Sequence, residues 1–360
     1  GGDCLNVGCV PSKALLRSAK AAYSCKVAAQ ALGIEFPSAA HVKVNFNHVM
    51  ERVRKIRASI SHHDSAHRFK NDLGVDVYMG KAVFTAKDIV QVGDRVLRFK
   101  KAVIATGARA TVPLQEIPGL KEAGYYTNNT IFNLQQLPKS MAVFGTGPIG
   151  LELGQAFARF GTKVVMFNRS DRILSRDDPE TSQVLFEQMN REGVQFQLAT
   201  RIKRIETNAQ TSEKTIFFSL NQQVHKEEQS VTVDEILVAM GRTPNVQGLG
   251  LEAAQVDYDT VKGIKVNKYF QTLNPNIYSG GDCASEFQFT HAADFMARSI
   301  IRNALFFGFV KSSDLLIPAC TYTYPEVARV GVQEADAKKL GLKVLVFKKN
   351  FAEIDRAICD

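Results

Sequence analysis

The sequence has 360 residues, 45% of them apolar and 22% charged, with a formal net charge of +9 and no Trp. That length supports two or three domains with sizeable cores. No apolar run approaches the roughly 20 residues of a membrane span, and the basic residues lie among acids instead of alternating with aromatics, which argues against a nucleic-acid groove.

Six cysteines, Cys4, Cys9, Cys25, Cys283, Cys320 and Cys359, are too few for a disulfide scaffold, so most are expected to be reduced. That fits the cytoplasm or an organelle matrix or stroma. Targeting is not legible, because the start at Gly1-Gly2 and the stop at Asp360 both read as cuts.

In chain order, Ser12 to Leu32 predicts an Ala-rich helix closed by Gly33. Phe46 to Lys70 predicts a second long helix. Its His62, His63, Asp64 and His67 lack a convincing third metal ligand and read as a solvated face; no metal site is assigned. Val75 to Leu97 alternates short β-rich runs with turns at Gly80 and Gly93-Asp94. Lys101 to Gly107 reads as a buried strand entering a glycine turn, and Pro113, Pro118 and Gly119 mark a linker.

Met141 to Phe144 predicts a strand leading into Gly145-Thr-Gly-Pro-Ile-Gly150 and a helix to about Phe160. Gly161 ends that helix, and Lys163 to Phe167 completes a βαβ unit. Short strands follow at Gln195 to Leu198, Thr215 to Leu220 and Glu235 to Ala239, with a hairpin tip at Asn221 to Gln229. After Gly241-Arg-Thr-Pro-Asn245 come a strand at Asn276 to Ser279, a helix from about Thr290 to Phe307 and a strand at Val344 to Phe347.

The chemistry concentrates at Gly1-Gly-Asp-Cys4-Leu-Asn-Val-Gly-Cys9-Val-Pro-Ser-Lys13. In an ideal α-helix this spacing puts the two Cα atoms roughly 8–9 Å apart, too far to bridge, so a disulfide needs distorted backbone, which Gly8 permits. Two unrelated buried thiols also satisfy the bare spacing. The complete string, however, closely resembles the active-site segment of the class I pyridine nucleotide–disulfide oxidoreductases. The lipoamide dehydrogenase and mercuric reductase branches are nearest, because Pro-Ser-Lys follows the second Cys.

That resemblance implies an α/β fold with two Rossmann-like dinucleotide-binding domains, for FAD and NAD(P), and a partial α+β dimerisation domain. The FAD domain is expected over 1–112 and 244–316, the NAD(P) domain over 113–243 and the start of the interface over 317–360. It implies that Cys9 is the flavin-proximal thiol and Cys4 the one that exchanges with substrate, with Lys13 beside the flavin and paired with Glu152. Further FAD contacts are implied at Thr106, Gly107 and Asp282, the last on the ribityl chain, and at Thr290 and His291 near the flavin pyrimidine edge. Tyr324 departs from the Asp, His or Glu usual at its position.

Gly145, Gly147 and Gly150 carry a GxGxxG turn between strand and helix, where glycines let a pyrophosphate approach the helix N-terminus. Gly241 is counted with these cofactor-binding positions. The next strand ends in Asn168, where an NAD-binding protein places an acid on the ribose. Asn168 with Arg169, Arg172 and Arg176 nearby points to the 2′-phosphate of NADPH, with NAD possible and a solvated arginine loop as the alternative. Gly248-Leu-Gly-Leu-Glu-Ala253 matches GxGxxA as text, but no strand precedes it.

The family pattern is longer at both ends. Its first FAD-binding βαβ is expected before Gly1, so these 360 residues alone are expected to hold FAD weakly. Most of the interface domain, with its catalytic His-Glu pair, is expected after Asp360, and none of the seven histidines present fits that role. The activity implied is electron transfer from NADPH through FAD to Cys4–Cys9 and on to a small acceptor, mercuric ion foremost, in a homodimer. A dihydrolipoyl dehydrogenase running with NAD⁺ is the runner-up. Glutathione reductase ranks lower because Ser12 replaces the usual lysine, and an inactive flavin-binding module is the alternative of another class. No nucleic-acid or membrane partner is expected.

Overall fold

The computed structural model describes residues 2–28, 32–34, 42–220, 228–306 and 308–359. Two helices open it, α1 (Gly2–Val7) and α2 (Cys9–Tyr23), parted only by Gly8. Helix α2 starts before Ser12, the predicted start, because Pro11 fits within a first turn whose N–H groups have no helical partner. Its α-helical part ends before Leu32, passing into a π-helical turn at Ser24–Ala28. There the Ser24 hydroxyl donates to the Lys20 carbonyl at 2.9 Å, a back-bond that loosens a helical ladder. Residues 29–31 of the predicted helix lie outside the described residues.

The second predicted helix is two, α3 (Phe46–Ser61) and α4 (Ala66–Asn71). Ser65 breaks it: its hydroxyl oxygen accepts from the Arg68 N–H at 3.1 Å and so caps a new N-terminus. Strands β1 (Ala82–Ala86), β2 (Ile89–Val92) and β3 (Arg95–Arg98) form an antiparallel meander. β4 (Ala102–Ile104) and β5 (Ala108–Ala110) follow.

β6 (Ser140–Phe144), α5 (Pro148–Phe160) and β7 (Lys163–Phe167) make the βαβ unit. After α6 (Pro179–Arg191) come β8 (Gln195–Gln197), β9 (Thr200–Thr207), β10 (Lys214–Leu220), β11 (Gln229–Val233) and β12 (Glu235–Val238). A parallel sheet runs β12-β6-β7-β8, and β11-β10-β9 is antiparallel. The tip of that hairpin, 221–227, lies outside the described residues.

Alternation in the parallel strands sends Met141, Val143, Val164 and Met166 into a core shared with α2, α3 and α5. Their neighbours Ala142, Phe144, Val165 and Phe167 face a second core built with β9 to β11. Apolar residues on both faces are what a covered parallel sheet requires.

β13 (Arg242–Pro244) pairs antiparallel with β5, and β14 (Tyr258–Asp259) with β15 (Gly263–Ile264). β16 (Ile277–Ser279) pairs parallel with β4, bringing distant segments side by side. Then follow α7 (Thr290–Leu305), the hairpin β17 (Ala319–Thr321) and β18 (Val327–Arg329), and α8 (Glu334–Lys339). Val344 to Phe347 is not a strand: its side chains are 48–90% exposed and none of the described strands pairs with it. No helix among the described residues is long and apolar enough to cross a membrane.

Candidate active site

Both thiols sit where α1 turns back against α2. A Cβ on Gly8 would lie 2.9 Å from the Asp3 carbonyl oxygen and 3.2 Å from the Cys4 Cα, so only glycine allows that approach. Cys9, the first residue of α2, and Cys4 are both free thiols in hydrogen-bond contact. The Cys9 sulfur also lies 3.2 Å from the Thr290 hydroxyl at the start of α7.

These contacts divide the two thiols. The Cys4 hydrogen bond, helped by Thr290 and the Lys13 charge, lowers Cys9 from 9.0 to about 6 against the opposing effect of burial. The same bond, with burial, raises Cys4. One proton is thus held on Cys4 while Cys9 is the thiolate at neutral pH. Iodoacetamide labelling of Cys9, followed by mass spectrometry, should rise with pH through a midpoint near 6. Thr290→Val should move that midpoint upward, and a midpoint left at the ordinary thiol value would refute the assignment.

One turn into α2, the Lys13 ammonium meets Glu152 Oε2 of α5 at 2.8 Å. Glu152 is 7% exposed, and its other oxygen accepts the Tyr322 N–H at 3.0 Å. The Tyr322 ring lies 4.2 Å from the Lys13 nitrogen. One turn further along α5, Gln155 accepts from the Tyr324 N–H and donates to its carbonyl, both at 2.8 Å. The thiol helix, the βαβ helix and the segment after β17 therefore meet at Glu152.

Around the phosphate turn, a Cβ on Gly145 would strike the Ala239 carbonyl oxygen at 2.4 Å, and one on Gly150 the Gly145 carbonyl oxygen at 2.2 Å. Gly147 has no heavy atom within 4 Å of that position. Two glycines let strand and helix close up while the third leaves a ligand-sized approach to the helix N-terminus. Asn168 donates to the Arg172 carbonyl at 2.9 Å, and Arg169 pairs with Glu116 at 2.5 Å. The Arg172 guanidinium is turned to the carbonyls of Ser175 and Asp177. Arg176 is joined through its own carbonyl, which accepts from Gln333.

Among the other flagged residues, the Thr106 hydroxyl donates to the Asn245 carbonyl at 2.7 Å. Gly107 and Gly241 have positive φ, and no heavy atom approaches their Cβ positions. His291 meets the Pro318 carbonyl at 2.6 Å and stacks on Phe289, so of the adjacent pair only Thr290 contacts the thiols. A strand does precede the GxGxxA text, since β13 ends at Pro244, but residues 251–255 form turns, so no helix follows to make a phosphate turn.

Sequence reasoning missed Arg242, which reaches Asp3 beside Cys4 and approaches Asp282 to 3.3 Å. The only signal was its place directly after Gly241.

A model of the pyridine nucleotide-disulphide oxidoreductases matches residues 1–297. The chain belongs to that family. The family's dimerisation domain matches 317–360. A mercuric reductase from Staphylococcus aureus is 31% identical over 96% of this chain, and one from Lysinibacillus sphaericus 32% over 99%. The chain spans only 60% and 63% of those two relatives. A dihydrolipoyl dehydrogenase from Bacillus subtilis is 33% identical over 99% of this chain and 74% of its own length. Among solved structures, the HOCl-induced flavoprotein disulfide reductase RclA from Escherichia coli superposes with a TM-score of 0.83 at 26% identity, covering 100% of this chain and 75% of its own.

This is a family of FAD-dependent, NAD(P)H-linked flavoproteins, and the residues present fit a flavin. Asp282 is a half-buried acceptor, the buried Arg242 Nε beside it has no hydrogen-bond partner among the described residues, and Gly107 is open.

Proposed function

We propose that the intact protein uses NADPH to reduce mercuric ion, with Cys4 and Cys9 as its redox pair. The observation that carries this reading is the placement of the thiols: Cys9 lies beside Cys4, 3.2 Å from the Thr290 hydroxyl and one helical turn from a Lys13 anchored on Glu152, surroundings that lower Cys9 and raise Cys4. Residues 1–112 and 244–316 would hold FAD and 113–243 NADPH, with the dimer interface beginning at 317. The pairing of β4 with β16 supports joining the two outer segments, since it unites them in one sheet.

Lys13, Asp282 and the backbone at Gly107 would hold the flavin. When bound, FAD supplies two-electron exchange between a nicotinamide and a dithiol, chemistry that no side chain offers. Glu152 keeps the Lys13 charge fixed near Cys9, favouring the thiolate. Cys4, which retains its proton, is the thiol that exchanges with the acceptor. Two sulfurs in contact suit a soft cation, and binding it displaces the Cys4 proton. The overall change is balanced: NADPH and Hg(II) give NADP⁺, one proton and Hg(0).

Oxidation of a dithiol with NAD⁺ is the second reading, favoured by the likeness to dihydrolipoyl dehydrogenase. Asn168, where NAD-binding proteins place an acid, supports the first. Full-length protein given Hg(II) and excess thiol should oxidise NADPH and release mercury vapour. Turnover of dihydrolipoamide with NAD⁺ and none of Hg(II) would reverse the order.

Nucleotide choice has its own test. Arg169→Ala should raise KM for NADPH about ten-fold, the worth of one charge-assisted hydrogen bond, and leave KM for NADH nearly unchanged. Equal losses with both nucleotides would remove the 2′-phosphate contact.

A further inference from the structure

Arg242 lies outside the thiol, Lys13 and phosphate-turn constellations, yet its side chain is only 12% exposed and touches two acids from distant elements. Its Nη2 donates to the Asp3 carboxylate on α1 and to the Ala108 carbonyl of β5 at 2.8 Å. Its Nε lies 3.3 Å from Asp282 Oδ2, is buried, and makes no aligned hydrogen bond there. The guanidinium thus faces Asp282 with its charge while leaving the carboxylate's acceptor positions open.

Helix α1 has six residues, too short to be stable alone. Its C-terminal half is tied by Arg57, which donates to the Asn6 carbonyl at 3.0 Å, and by Asn128, which donates to the Val7 carbonyl at 3.2 Å. Neither holds the end that carries Cys4. Asp3 does so, through Arg242.

We infer that Arg242 is a positioning residue, clamping the Cys4 end of α1 to the β5–β13 pair through Asp3 and presenting a charged, unsaturated Asp282 to the flavin ribityl chain. Its second half rests on the flavin reading above; its first half does not. Burial, the largest effect, pushes the Asp282 carboxyl up, and the Arg242 guanidinium opposes that, favouring the form that accepts hydroxyl hydrogen bonds.

The test is the rate at which iodoacetamide labels Cys4 in full-length, flavin-free protein, with exposed Cys359 as internal reference. If Arg242 positions α1, Arg242→Gln and Asp3→Asn each speed Cys4 labelling roughly three- to ten-fold, the range of a partly exposed charge-assisted bond. The double variant is no faster than the faster single, and Arg242→Lys recovers part of the loss. An influence through charge alone would move the singles oppositely, since one removes a cation and the other an anion near Cys4. Opposite signs, additive effects or unchanged rates overturn the clamp. Asp3 is half exposed, so Asp3→Asn decides the matter even should Arg242→Gln fail to fold.

Flavin fluorescence tests the other half: Arg242→Gln should weaken FAD binding about ten-fold, and unchanged affinity overturns the Asp282 role. Wild-type protein that takes up no FAD would sink the flavin reading and that half with it, while Cys4 labelling still decides the clamp.

Discussion

Cys9→Ser should lower NADPH-dependent reduction of the acceptor by on the order of 10⁴-fold, because a hydroxyl neither ionises near neutral pH nor closes a disulfide. The two electrons then have no sulfur pair to occupy. Cys4→Ala should be as damaging to turnover for another reason. It removes the bond that contributes most to the low Cys9 value, so Cys9 should become a thiol at neutral pH, and its labelling midpoint should climb well above 6. Steady-state assays of both variants, with circular dichroism to verify folding, decide the point. Activity within ten-fold of wild type in Cys9→Ser would move the chemistry away from this pair.

Arg159→Met should destabilise the fold by about 3–5 kcal/mol, the cost of stranding a buried charge. Arg159 and Glu192 are 5% and 4% exposed and joined by two 2.7 Å hydrogen bonds. Gln155 and Gln188 also donate to Glu192, and the guanidinium lies 4.1 Å from the Tyr23 ring. Four parts of the chain share this knot: α2, α5, the end of α6 and the segment at Tyr324. Glu192, at the C-terminal end of α6, faces an unfavourable helix dipole that Arg159 offsets. Thermal unfolding should show a fall on the order of 5–15 °C, and Arg159→Met with Glu192→Leu should regain much of it. A double variant that loses the sum of both singles would show that the charges stabilise independently.

The β6–α5–β7 unit was legible because its signals are local: a strand of five, glycines at fixed offsets and an αL glycine at the close. The helix break at Ser65 was not read, although the apolar spacing at Phe46, Val49, Met50, Val53, Ile56 and Ile60 gives way to the polar run Ser61-His-His-Asp-Ser65, whose last residue caps the next helix. Val344 to Phe347 misled in the opposite sense, because β-branched composition cannot supply a neighbouring strand.

In the site, Cys4, Cys9 and Lys13 share thirteen residues of sequence, whereas Cys9 and Thr290 are 281 positions apart and Arg242 and Asp3 239. Such meetings are set by the pairing of β4 with β16 and of β5 with β13, which no periodicity in the sequence announces.

Glu152 and Gln155 grip the segment at 322–324 by its peptide N–H and C=O groups. Attachment by main chain is blind to side-chain identity, so replacing either tyrosine leaves these bonds available and removes ring contacts to Lys13, Arg159 and Tyr23. Substitution at position 322 therefore alters the surroundings of the Lys13 charge without cutting the bonds that dock the segment.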